Sequence, residues 1–219
     1  MIYIIRHGQT EMNNAKVLQG RSDLPLNEKG MEQAEEAGKW FLENGISFDR
    51  IYSSPLIRAV QTALLVTGTA AGDLDRMLPK ERADWPDQVQ IDERLIEMDY
   101  GPYEGMGLKN PPPEIIAFFS DFQNTPAPDG MEPLEKVVER SGQFLEDIRE
   151  EAAQKNILIS THAIAMKGLL EYLTPESHGA YWSKYVGNCD VYTAEVTAEG
   201  YTVPKELEGP GASAREVGC

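Results

Sequence analysis

Cysteine is nearly absent from this chain. Cys189 and Cys219 lie far apart among 219 residues, which suggests neither a disulfide framework nor a zinc-ligand spacing. No apolar run approaches the roughly 20 residues of a membrane span. Nothing at the start carries the basic region and cleavage site of a secretory signal. The reading is a soluble, cytoplasmic protein. Basic residues are scarce too, with 20 Lys and Arg against 36 Asp and Glu and a formal charge of -16. That balance argues against nucleic acid and anionic membranes as partners, because both demand basic patches. Histidine occurs only at His7, His162 and His178. Repeats and low-complexity tracts are absent, and the length suits one domain with a proper core.

Against this background the run Ile4-Ile5-Arg6-His7-Gly8-Gln9-Thr10 stands out. Met1 to Ile5 read as a short apolar strand, and ligands of open α/β sheets bind at the carboxyl ends of such strands. Arg6 offers a planar fork of donors suited to phosphate oxygens. Gly8 permits a sharp turn and a close approach to a ligand. His162 follows the strand Asn156 to Thr161 and precedes a helix, the same setting as His7. Arg58 falls in the first turn of a helix that Ser54-Pro55 should open. Bases at helix N-termini oppose the macrodipole, so an anion is their natural companion. An acidic protein that binds phosphate must gather its positive charge locally.

Helices are further expected over Asn27 to Leu42, Pro133 to Gln154 and Ala163 to Leu173, and strands over Arg50 to Ser53 and Val89 to Ile91. Val191 to Val196 and Tyr201 to Val203 suggest a terminal hairpin. The alternation predicts an α/β fold, a three-layer α/β/α sandwich on a mostly parallel sheet. One domain should cover residues 1–204. Within it, 99–132 carries six prolines and several aromatics and reads as a small inserted cap. Residues 205–219 read as a loose tail.

In these motifs the chain resembles the histidine phosphatase superfamily, in its phosphoglycerate-mutase-like branch. The matching residues are Arg6-His7-Gly8-Gln9-Thr10 with Asn13; Gln19-Gly20; Asp23 to Leu26 with Gly30 and Gln33-Ala34; and Ser53-Ser54-Pro55-Leu56 with Arg58-Ala59 and Gln61-Thr62-Ala63. Arg94 to Glu97 with Gly101 and Glu104-Gly105, Thr161-His162-Ala163 and Asn188 complete the set. The resemblance implies that His7 attacks phosphorus, that Arg6, Arg58 and His162 hold the phosphoryl oxygens, and that Glu97 protonates the leaving oxygen. It implies a substrate-binding role for Asn13, for Gln19 or the Gly20 backbone, and for Ala163, which stands where the family usually has glycine. Gly130-Met131-Glu132 replaces the commoner Gly-Glu-Ser, and Met12 stands where an aromatic is frequent. His178 matches nothing in the pattern and is taken as structural. The acids show no ligand-like spacing with histidine, so no metal or cofactor is expected.

Between Asp99 and Glu132 the only base is Lys109. A mutase would need more positive charge there to grip a second anion. The reading is therefore a phosphatase acting on small phosphate monoesters with an apolar or neutral leaving group. The alternatives are a cofactor-dependent phosphoglycerate mutase and a non-catalytic phosphate-binding module. Oligomeric state is left open.

Overall fold

The computed structural model describes residues 1–78 and 85–210. In chain order come β1 (Ile2–Arg6), α1 (Glu11–Asn14), α2 (Glu28–Glu43), β2 (Arg50–Ser53), α3 (Ile57–Val66), α4 (Leu74–Met77) and β3 (Gln90–Ile91). Then follow α5 (Pro113–Ser120), α6 (Leu134–Ala152), β4 (Ile157–Thr161), α7 (Ala163–Leu173) and β5 (Val191–Ala194). Three short strands close the described chain: β6 (Val196–Thr197), β7 (Gly200–Tyr201) and β8 (Lys205–Leu207).

Six strands form one sheet in the order β3-β2-β4-β1-β5-β8. The first four run parallel, and β5 and β8 join antiparallel. Central parallel strands are covered on both faces, so they read as unbroken apolar runs. Ile2 and Ile4 enter the core beneath α6 and α7 with Phe144, Leu145, Met166 and Leu170. Tyr3 and Ile5 point the other way, to Ala34, Phe41, Val60 and Leu64 of α2 and α3. This period-two division of one strand between two cores makes the three layers. A third cluster holds the cap: Met98, Tyr100, Ile115 and Phe118 pack with Ile164 and Trp182. Phe118, Phe119 and Phe122 stack edge-on at 4.9–5.5 Å, so these aromatics build the cap's own core. No helix among the described residues is long and apolar enough to cross a membrane.

Three local expectations change. The helix after Ser54-Pro55 opens at Ile57 with Leu56 as N-cap and no cap from its own side chain. Asp23 instead accepts from the Ile57 N–H at 2.7 Å, which frees the Ser54 hydroxyl for another partner. The terminal hairpin exists only as the two-residue strands β6 and β7, because β5 pairs with β1 in the main sheet. The stretch expected to be loose from Lys205 begins as β8, whose backbone pairs with β5 along Val191 to Thr193. The rest of that tail beyond 210 lies outside the described residues.

Candidate active site

Register brings the two strand-end histidines together. β1 and β4 pair from Ile2↔Ile157 through Arg6↔Thr161, so both strands finish at the same level. The His7 N–H then donates to the Thr161 carbonyl at 2.9 Å. The His7 and His162 rings lie 5.1 Å apart, centre to centre. β2 ends one strand further over, and the turn after it delivers Ser54 and Arg58 to the same edge.

His7 is 3 % exposed, and its Nδ1 lies 2.6 Å from the Gly8 carbonyl. A carbonyl can only accept, so the proton sits on Nδ1 and Nε2 presents a lone pair. Arg58 Nε donates to that Nε2 at 3.3 Å. The other two Arg58 nitrogens are fixed by backbone carbonyls, Nη1 by Ser22 and Nη2 by Gly20, each at 2.7 Å. Burial, then Arg58, then Arg6 push the His7 pKa well below 6.5. The imidazole is thus neutral at physiological pH. Arg58 is almost fully buried, which brings it down to about 10 while Glu97 and Asp23 oppose the fall. It stays charged.

His162 is wired the opposite way. Its Nε2 meets Ser54 Oγ at 2.6 Å, and its Nδ1 is buried without a partner. The Ser54 oxygen already accepts from the Leu56 N–H, so its hydroxyl proton is available for His162 Nε2. With Ser54 donating to Nε2, the His162 proton would lie on Nδ1, as a free donor. Burial, then Arg58 and His7, hold its pKa well below 6.5 as well. Arg6 is anchored through Nη1 to the Val186 carbonyl at 2.6 Å, leaving its Nε buried and unpaired. Gln19 gives its Oε1 to the Thr10 hydroxyl at 2.8 Å and keeps an unpaired buried Nε2. Orphaned buried donors cost about 1–3 kcal/mol each, so they are rare without a ligand. Three of the five buried orphan polar atoms among the described residues belong to Arg6, His162 and Gln19.

Glu97 is 6 % exposed and lies off the solvated acidic face that its neighbours Asp92 and Glu93 would suggest. Its carboxylate takes the N–H groups of Met98 at 2.8 Å, Ala165 at 3.0 Å and Ile164 at 3.3 Å. The acid that meets the start of α7 is therefore one of the protein's own side chains. Asn13 closes a capping box with Thr10, and Asn188 Nδ2 bridges the His7 carbonyl at 2.9 Å to Asn13 Oδ1 at 3.4 Å. Gly20 serves Arg58 through its carbonyl; at its φ of +52° a Cβ would sit 2.3 Å from Glu104 Oε1. Gly8 owes its identity to packing: a Cβ there would strike the Gly30 carbonyl at 2.3 Å. Ala163 is the first residue of α7, half-buried beside His162.

Several supporting residues escape a reading of the sequence. Glu132, in the atypical Gly-Met-Glu, pairs with Arg140 at 2.9 Å and Arg21 at 3.3 Å. Those arginines grip the chain on either side of the acid: Arg140 binds the Ile96 carbonyl and Arg21 the Glu97 carbonyl. Glu104 fixes the loop whose carbonyls hold Arg58, through the Arg21 N–H and the Ser22 hydroxyl. Lys167, on α7, is a buried cation whose Nζ donates to the Trp182 carbonyl at 2.7 Å. Its signal is masked by a helix that is apolar nearly all round. His178 sits in a left-handed turn and gives its carbonyl to Gln123, outside this constellation. Among the described residues no group of three or more His, Cys, Asp or Glu could hold a metal ion.

The family model for the histidine phosphatase superfamily (branch 1) matches residues 2–206. The chain belongs to that superfamily. It is 30 % identical over 186 residues to a broad-specificity phosphatase of Saccharomyces cerevisiae, covering 82 % of this chain and 73 % of the yeast protein. It is also 30 % identical over 180 residues to a metal-independent phosphoserine phosphatase of Arabidopsis thaliana, covering 80 % and 69 % of the two chains. The phosphoserine phosphatase of Entamoeba histolytica, solved as a mutant in complex with phosphoserine, superposes with a TM-score of 0.73 at 26 % identity. That match covers 95 % of this chain and 96 % of the other. A second structure of that enzyme, with 3-phosphoglyceric acid, gives a TM-score of 0.72 at 26 % identity and 94 % coverage of both chains. This histidine phosphatase is a phosphatase hydrolase.

Proposed function

We propose that this histidine phosphatase hydrolyses small phosphate monoesters through a phosphohistidine on His7, without a metal. The observation that carries the proposal is the wiring of the two histidines: a lone pair on His7 Nε2 and an unpartnered Nδ1 on His162, on neighbouring rings, sit among unpaired buried donors. Phosphate monoesters hydrolyse extremely slowly in water, so a ready nucleophile and neutralisation of charge are both needed. His7 Nε2 attacks phosphorus as the ester P–O bond breaks. Arg6, Arg58 and the His162 Nδ1–H hold the three equatorial oxygens. Arg58 Nε, which rests on His7 in the free enzyme, turns its donor to phosphate. Gln19 Nε2 and Asn13 add neutral donors. Glu97, protonated once the anionic ester is bound, gives that proton to the departing alkoxide, then takes one from water as that water attacks the phosphohistidine. The P–N bond breaks, inorganic phosphate leaves, and Glu97 is protonated again.

Retention of phosphate for a mutase would require a second cradle of positive charge and exclusion of water. The cap offers only exposed Lys109. The reading also has the enzyme acting in the cytoplasm, on small molecules. Its test is phosphate release with EDTA present, wild type beside His7→Ala, together with 31P NMR of acid-labile phosphoprotein formed during turnover. Release that vanishes in His7→Ala is the expected result. Isomerised phosphoglycerate without net release would make the protein a mutase. No release from any monoester would leave a binding module.

A further inference from the structure

Glu97 stands in a stretch, Ile96 to Tyr100, that belongs to no helix or strand. Its backbone has no ladder to join, so the carbonyls there need partners from elsewhere. Side chains supply them. Arg140 Nη1 donates to the Arg94 and Ile96 carbonyls, each at 2.6 Å, and Arg21 Nε donates to the Glu97 carbonyl at 3.3 Å. Thr161 Oγ1, next to His162, donates to the Leu95 carbonyl at 2.8 Å. Every carbonyl from Arg94 through Glu97 is thus held by a side chain from another part of the chain.

Both arginines lean on one acid. Arg140 meets Glu132 as a fork, Nε to Oε1 at 2.9 Å and Nη2 to Oε2 at 3.2 Å, and Arg21 Nη2 reaches the same Oε2 at 3.3 Å. That oxygen also accepts the Asp99 N–H at 3.2 Å, while the Glu132 N–H donates to the Asp99 carbonyl at 2.8 Å. Asp99 and Glu132 are the two ends of the cap segment, so one residue ties the neck of the cap to the chain that carries Glu97. The Arg140 and Glu132 side chains are only 14 % and 12 % exposed. A pair so far withdrawn from water adds little net stability, because desolvation offsets attraction. What it supplies is geometry, since a planar guanidinium serves a carboxylate and two carbonyls at once. The charge of Arg140 is also felt at the site, where it is among those that hold His162 below its ordinary pKa.

We propose that Glu132 is a positioning residue for the general acid: through Arg140 and Arg21 it fixes the backbone on both sides of Glu97 and so sets that carboxyl at the leaving oxygen. This deepens the phosphatase reading above and rests on the acid role given there to Glu97. Glu132 itself touches no reacting atom. An acid must lie within hydrogen-bond reach of the oxygen it protonates, and a shift of about 1 Å can cost about 100-fold. The effect of losing Glu132 therefore depends on the leaving group. A departing alkoxide needs the proton, whereas p-nitrophenolate leaves without one. The ratio kcat/KM reads this step from free enzyme and ester, before water attacks the phosphohistidine.

The test measures kcat/KM on glycerol 3-phosphate and on p-nitrophenyl phosphate for wild type, Glu132→Gln, Arg140→Met, Glu97→Gln and the Glu132→Gln/Glu97→Gln double variant, with urea melts to confirm each fold. Glu132→Gln should lose about 10- to 100-fold on the alkyl ester and less than about threefold on the aryl ester. Arg140→Met should show the same split. In the double variant Glu132→Gln should cost nothing beyond what Glu97→Gln already costs on the alkyl ester, because one acts through the other. Equal losses on both esters, losses that add in the double variant, or an alkyl rate that neither Glu132→Gln nor Arg140→Met lowers would overturn the proposal. If Glu97→Gln alone shows the split, the phosphatase reading and its acid stand without Glu132. If Glu97→Gln treats the two esters alike, or the wild type cleaves only the aryl ester, the acid role of Glu97 falls and the proposal with it. Release from neither ester removes the phosphatase reading as well.

Discussion

The ends of β1 and β4 look alike in sequence and do opposite things. Each finishes an apolar central strand with a histidine and a small residue, and each histidine is buried and neutral. At the end of β1 the ring gives its Nδ1 proton to a carbonyl and keeps Nε2 as a base. At the end of β4 the ring is met at Nε2 by a hydroxyl and leaves Nδ1 buried without a partner. The difference does not lie in the strands. It lies in what each ring touches, the carbonyl of the next residue or a serine from another strand's turn. In the proposed mechanism, a nucleophile and an electrostatic clamp are made from one local pattern by changing one hydrogen-bond partner.

Removing the two rings should separate their roles most sharply. His7→Ala should lower kcat by about 10⁴-fold or more, because the nucleophile is gone. His162→Ala should lower it by about 10²–10³-fold, the scale for losing one donor to a developing charge. Single-turnover kinetics would check both; equal losses would refute the division. A gentler break is Ser54→Ala, which removes the partner of His162 Nε2 and lets the proton settle on either nitrogen. A rate loss of roughly tenfold is expected. 15N spectra of labelled histidine should show His162 leaving a single Nδ1–H tautomer, with His7 unmoved. A smaller effect is shared by both rings. Their folded pKa values lie below the ordinary 6.5, so below that pH the unfolded chain binds more protons. Stability should fall as pH drops from about 6.5 toward 5, by up to about 1.4 kcal/mol per pH unit for each histidine. His162→Gln should halve that slope in urea melts without phosphate; an unchanged slope would place the acid sensitivity elsewhere.

Much of the candidate site is legible in the chain. Strand, base, histidine and glycine follow one another within a few residues, and Arg58 and His162 repeat the strand-end theme. Glu97 reads as part of an acidic run until its resemblance to the family motif lifts it out, and its three backbone donors come from two separate segments. Ser54 reads as a helix cap, because nothing local reveals that Asp23 takes that duty. Gly8 reads as room for a ligand, yet its neighbour is Gly30 of α2. Lys167 disappears among Met166, Gly168 and Leu169, since periodicity cannot tell a buried ammonium from a solvated one. Lys205 to Leu207 look unable to bury anything, yet an edge strand needs only a neighbour's free backbone groups.

The alternation of strands and helices, the two strand-end histidines, Arg6 and Arg58, and the near-absence of bases from residues 99–132 are all readable in the chain alone. These follow from short-range order: periodicity, turn residues, and side chains whose chemistry is fixed wherever they fall. Tertiary structure alone decided which nitrogen of each histidine is free, which backbone amides hold Glu97, and that Lys167 is buried beneath the cap with a carbonyl and a ring face for company. Such properties depend on partners dozens of residues away, brought into contact by strand register and helix packing, and no local pattern encodes that distance.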